Sequence, residues 1–171
     1  SLLPETPDKV NVALDAEAAT VNVSWANSID GARNVVKYYL VTVKDQDGTE
    51  YLSQKKCIGN SVKLDITSDM IGKRLTVSVR ACLSNESAAI SKPMLTPQIR
   101  LELVKSGGTY KYEISLENQK DYEKAYAGNW NVTVYRQGAD QERTKICQLS
   151  AGKPFDLIDG SNINIKYGNY L

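Results

Sequence analysis

Tyr122, Tyr126 and Trp130 stand four residues apart in the stretch DYEKAYAGNW. Flat rings at that spacing could stack on the apolar face of a sugar or anchor a protein partner. Tyr and Trp offer large contact area at low entropic cost. The competing reading makes Trp130 a core residue. It leaves Tyr122 and Tyr126 at the surface, among the charged neighbours Asp121, Glu123 and Lys124.

Two further stretches carry polar chemistry. DQDGTE, residues 45–50, gathers Asp45, Asp47 and Glu50, hard oxygen groups of the kind calcium takes. The run is shorter than an EF-hand loop, and Asp-Gly at a hairpin tip is explained by turn conformation alone. No metal is assigned on this basis. SNES, residues 84–87, is a polar turn whose Ser84, Asn85 and Glu86 are candidate contact residues, because binding groups concentrate on loops. Asn22, Asn85 and Asn131 each open an N-x-Ser/Thr pattern, which matters only on a glycosylating secretory route.

The chain has no histidine. That removes Ser-His and Cys-His nucleophile pairs, the usual general base and the commonest zinc ligand. Cys57, Cys82 and Cys147 are widely spaced, without a CxxC, so neither a disulfide scaffold nor a zinc site is indicated. Cys82 follows an inward-facing Ala81 and is expected to point outward. A bridge from it to Cys57 would need Cα atoms within ~7 Å. With no phosphate loop and no metal-ligand cluster, the expectation is a non-enzyme without cofactors.

Charge narrows the partners. Lys and Arg number 21 against 20 Asp and Glu, and both halves are balanced, so the basic stripe of a nucleic-acid binder is missing. No apolar run approaches the ~18 residues of a transmembrane helix, so no membrane insertion is expected within this sequence. SLLPETPDKV at one end and IKYGNYL at the other read as the cut ends of a fragment of a larger protein.

The elements that must position these residues are strands. TVNVSW alternates Val21, Val23 and Trp25 against Thr20, Asn22 and Ser24; VVKYYLVTV sets Tyr39, Val41 and Val43 on one face; RLTVSVRA does so with Leu75, Val77, Val79 and Ala81. SVKLDI adds Val62, Leu64 and Ile66. Such period-two runs, separated by turn chemistry such as DQDG and SDMIG, predict a β-sandwich with one buried face per strand. Trp25 is expected at the centre of this core, against Tyr39, Leu64 and Val77. KPMLTP, residues 92–97, reads as an extended linker, since two prolines break strands. After it come IRLELVK, TYKYEISLEN, NWNVTVYRQG, TKICQL, FDLI and NINIKYGNYL, with SGGT as a hairpin turn. Period two in NWNVTVY places Trp130, Val132 and Val134 inward and Asn131, Thr133 and Tyr135 outward.

In order and spacing, the first half resembles a fibronectin type III domain. PDKVNVAL is similar to its A strand and ATVNVSW to its B strand ending in the buried tryptophan. VVKYYLVTVKD is similar to C, with Tyr39 as the inward tyrosine; SVKLDI and RLTVSVRA are similar to E and F; AAISKPM resembles the last strand. One position departs from the family: Leu75 stands where a tyrosine ties the corner before the F strand to the backbone. The second half is more distantly similar to a fibronectin-like or immunoglobulin-like sandwich, with six strand candidates and no visible seventh.

The expected fold is therefore all-β, with almost no helix: two consecutive antiparallel β-sandwich domains. Residues 1–97 form the fibronectin type III-like one, and residues 98–171 a second one, incomplete at its C-terminus. The resemblance implies a non-catalytic spacer or protein-interaction module, extracellular or on a cell surface, in a surface, secreted or phage-tail-type protein. Its partners would be another protein or neighbouring domains of the same chain. The alternative is a carbohydrate-binding module whose glycan platform is Tyr122, Tyr126 and Trp130. An exposed coplanar row of rings favours the alternative; buried rings favour the module.

Overall fold

In the computed structural model, Val21, Val23 and Trp25 all turn into a core and are almost completely buried, as their period-two spacing predicts. The structure describes residues 4–28, 36–82, 86–138, 142–159 and 169–170. These form two compact units, one of residues 1–15 and 19–96, the other of residues 97–171 with 16–18.

The first unit runs through β1 (Asp8–Asp15), β2 (Thr20–Ala26), β3 (Tyr38–Lys44), β4 (Glu50–Cys57) and β5 (Ser61–Asp65). A one-turn 3-10 helix (Ser68–Met70), β6 (Arg74–Cys82), β7 (Glu86–Ile90) and β8 (Met94–Leu95) complete it. One antiparallel sheet has the order β1-β2-β5 and the other β4-β3-β6-β7, with β8 added to the start of β6. Alternation fills the space between them: Val21, Val23 and Trp25 from one sheet meet Tyr39, Val41, Val43, Leu75, Val77, Val79 and Ala81 from the other. Each such side chain contributes ~1.5–3 kcal/mol by leaving water. Trp25 packs edge-on against Tyr39, ring centroids 5.3 Å apart at 65°, the geometry that aromatic quadrupoles favour. Leu64 lies half-buried against the same cluster.

The expected linker is largely part of this unit. Met94 and Leu95 pair with Leu75 and Arg74, and Leu95 and Thr96 are buried. Only Pro93 and Pro97 keep the strand-breaking role; the residues between them can still pair because their own N–H groups are free to do so. The corner before β6 is closed by Thr96. The Lys73 N–H donates to Thr96 Oγ1 at 2.9 Å, and the Thr96 hydroxyl donates to the carbonyl of Met70.

The second unit contains β9 (Ile99–Ser106), β10 (Thr109–Leu116), α1 (Gln119–Tyr126), β11 (Asn131–Gln137), β12 (Arg143–Ser150), β13 (Phe155–Ile158) and β14 (Asn169–Tyr170). The turn between β9 and β10 is Gly107-Gly108 at φ 60° and 83°, positive at both positions as a type I′ hairpin requires. The sheets run β13-β10-β9 and β12-β11-β14. Ile114 and Leu116 are buried from the first, and Val132, Val134, Cys147 and Leu149 from the second.

This order repeats that of the first unit. Numbering strands from the start of each unit, the first, second and fifth share one sheet with the second at its centre. The fourth, third and sixth share the other, with the third at its centre. The two halves have no residue-level repeat, yet they follow one connectivity. The second unit differs by carrying α1 between its second and third strands. Among the described residues, no helix is long and apolar enough to cross a membrane.

Candidate functional site

The aromatic stretch folds as the eight-residue helix α1 followed by the start of β11. Asn118 precedes the helix, and its side-chain Oδ1 accepts the Gln98 N–H at 3.0 Å. Ala127 and Gly128, at φ 51° and 74°, stop it in left-handed conformations, a common way to end a helix. On a helix, residues four apart share a face, so Tyr122 and Tyr126 lie together, centroids 5.3 Å apart. Tyr122 also meets Trp130 edge-on at 5.8 Å and 64°.

Trp130 is buried, at 6% exposure, in line with the strand pattern. Tyr122, expected at the surface, is buried at 5%, and Tyr126 is half-buried. The charged neighbours mislead, because they do not share a side with the tyrosines. In a helix Asp121 and Lys124 occupy the exposed side while the tyrosines turn the other way. Burial pushes the Tyr122 phenol well above its usual range, with Tyr126 adding to the effect. Ring planes tilted at 49° and 64° do not make a flat platform. The three rings are a small core, of which only Tyr126 reaches solvent.

The acidic stretch is a hairpin device. The carboxylate of Asp45 accepts the N–H of Asp47 at 2.8 Å, the N–H of Thr49 at 3.1 Å and the hydroxyl of Tyr51 at 2.6 Å. Gly48 completes the turn at φ 87°. The Tyr51 hydroxyl is the largest influence holding Asp45 below the usual carboxylate range; partial burial opposes it, and the two amides and Lys73 assist. Burial first, and then Asp45, push the Tyr51 phenol up to about 12. Tyr51 also lies 3.1 Å from the carbonyl of Asp69 beside the 3-10 turn, so one buried acid ties the β3–β4 hairpin to the corner. Lys73 pairs with Asp47 at 3.0 Å on the exposed side. The oxygens of Asp45 are occupied by hydrogen bonds, and among the described residues no three His, Cys, Asp or Glu side chains cluster as metal ligands do.

Of the SNES turn, Ser84 and Asn85 fall outside the described residues. Glu86 opens β7 with its backbone opposite Cys82. The three cysteines are unbridged and buried. Cys57 and Cys82 sit on β4 and β6, which flank β3 on opposite sides. Two strand spacings, ~9.5 Å, exceed disulfide reach. Cys82, expected to point outward, is 1% exposed. Its backbone lies within the sheet opposite Tyr38 of β3 and Glu86 of β7. Burial raises the Cys57 thiol and pushes the Cys147 thiol up to about 11, which keeps both as poorly nucleophilic thiols.

No family model and no curated protein matches the chain. The geometry stands by itself. It draws together Asp45, Tyr51, Lys73 and Thr96 around one corner, a grouping that sequence reasoning missed. The available signal was the pair of hydroxyl residues, Tyr51 and Thr96, placed next to turn and proline positions where a backbone group needs a partner.

Proposed function

We propose that the chain is a non-catalytic spacer or protein-interaction module: two tandem sandwiches, the first fibronectin type III-like, belonging to a larger surface, secreted or phage-tail-type protein. Its setting is extracellular or at a cell surface, and its partners are another protein or neighbouring domains of the same chain. The repeated strand order carries this reading. One connectivity used twice with different side chains is how modular stalks are built, each unit supplying its own core and leaving its surface free to vary. The polar chemistry supports it too. Asp45, Tyr51 and Thr96 hold turns, and Tyr122 and Trp130 fill a core, which takes away the platform that a sugar-binding role requires. Fold by itself does not specify function, so the experiment must separate the classes. The intact chain, immobilised, is probed against an array of glycans and an array of extracellular proteins. Saturable protein binding with no glycan binding is expected; strong glycan binding abolished by Tyr126→Ala, with the melting temperature unchanged, would sink the reading.

A further inference from the structure

Sheet edges in this chain are mostly blunted, as soluble proteins require. β1 has a register shift between Asp8 and Asn11, with Lys9 at φ 52°. β4 has two irregularities, Gln54 at φ 48° and a polar run Ser53-Gln54-Lys55-Lys56. β12 is offset against its neighbour between Val134 and Tyr135. β5, β7 and β13 are regular but short, at four or five residues; β9 carries the charges Arg100, Glu102 and Lys105 but is long and has no bulge. It pairs with β10 over eight residues without a register shift, and among the described residues with no other strand. It also carries Leu103 at 58% exposure.

The direction of its backbone groups follows from the hairpin. A type I′ turn closes with a hydrogen bond between the residues flanking it, here Ser106 and Thr109. Antiparallel pairs then alternate, so Val104, Glu102 and Arg100 turn their N–H and C=O toward β10. The Gln98 carbonyl accepts the Glu117 N–H at 2.7 Å, which fixes the same phase at the other end. Ile99, Leu101 and Leu103 therefore present their N–H and C=O groups to the open side.

We infer that β9 pairs antiparallel with β9 of a second copy of this chain, in the register centred on Leu101, joining two three-stranded sheets into one of six. Charge selects that register. Arg100 and Glu102 are both exposed on one face, 3.1 Å apart within the strand; centring on Leu101 sets Arg100 against Glu102 of the partner copy, twice by symmetry. On the other face Ile99 covers the exposed Leu103 of the partner copy, and the two Leu101 side chains meet. Centring on Glu102 would oppose two like charges, which destabilises a strand pair, and centring on Leu103 would set Leu101 against Lys105. The open groups of Ile99, Leu101 and Leu103 supply on the order of six inter-chain hydrogen bonds. An interface of this kind buries at most about 1,200 Å², in the weak, reversible class. The pairing goes beyond the module reading and stands on β9 alone.

Sedimentation equilibrium of the intact chain tests it. A monomer–dimer equilibrium is expected below about 1 mM. Glu102→Arg should weaken it about tenfold by setting like charges across the axis, and adding Arg100→Glu should restore it. Leu101→Pro should abolish it while leaving the β9–β10 ladder intact, since that N–H faces outward. Circular dichroism and melting checks that each variant is folded; should Leu101→Pro fail to fold, the charge swap still decides. A monomer at every concentration, or a dimer indifferent to the charge reversal, overturns the pairing. A monomer that still binds a protein partner overturns the pairing and leaves the module reading standing.

Discussion

Thr96 and Lys73 hold one another reciprocally: the Lys73 N–H donates to Thr96 Oγ1 at 2.9 Å, and the Thr96 N–H donates to the Lys73 carbonyl at 2.8 Å. With the added bond from the Thr96 hydroxyl to Met70, a residue just after the last strand of the first unit closes the corner before β6. Thr96→Val keeps the shape and removes the hydroxyl, leaving the Lys73 N–H with its 3.1 Å bond to the Met70 carbonyl, in a site where Thr96 is 2% exposed. A loss of ~0.5–1.5 kcal/mol is expected in urea unfolding. Thr96→Ser should recover most of it. If Thr96→Val unfolds at the wild-type midpoint, the corner is held by packing alone.

The two aromatic centres should behave as core. Trp25→Ala in the first unit and Trp130→Ala in the second should each cost roughly 3–5 kcal/mol, from lost transfer energy plus the cavity left behind. Tyr122 and Trp130, in edge-on contact at 5.8 Å, should also be coupled. A double-mutant cycle to Ala is expected to give ~0.5–1.5 kcal/mol. Additive losses would mean the rings are neighbours without interaction.

The Asp45–Tyr51 bond predicts two pH limits for the first unit. Asp45 is held below the usual carboxylate range, first by the Tyr51 hydroxyl, so its contribution is present above that range and fades as pH falls through its lower folded value. Tyr51 is raised from 10.0 to about 12. Its contribution is complete below pH 10.0 and is lost as pH climbs toward about 12. Tyr51→Phe should remove the alkaline limb of stability and soften the acid one. Melting temperature against pH reads both, and an unchanged alkaline limb in Tyr51→Phe would show that another group governs it.

All three thiols should be reduced and slow to react. Alkylation followed by intact mass analysis is expected to give almost no modification in native buffer and three additions in denaturant without a reducing agent. Fewer than three additions under those conditions would reveal a bridge.

Local pattern carried the strands. Val21, Val23 and Trp25, then Tyr39, Val41 and Val43, then Leu75 to Ala81 were each readable because alternation is a property of the strand itself: one residue up, the next down. Val132 and Val134 with Trp130, and the Gly107-Gly108 turn, followed for the same reason. By itself, then, the sequence determined an all-β chain of short antiparallel strands and most of the residues that face inward.

Tertiary structure decided the rest, because it depended on partners far along the chain or on a change of period. Tyr122 went into a core once its stretch became helical, since a helix brings residues four apart to within ~6 Å along its axis, where a strand would hold them ~13 Å apart. Cys82 is buried next to an equally buried Ala81, a break in alternation at the end of β6 that period two could not announce. Thr96 reads as a linker residue until Lys73, 23 positions earlier, is brought beside it. The shared strand order of the two units left no trace in the residues, since connectivity is set by which strands neighbour one another, and many different apolar side chains satisfy the same neighbour relations.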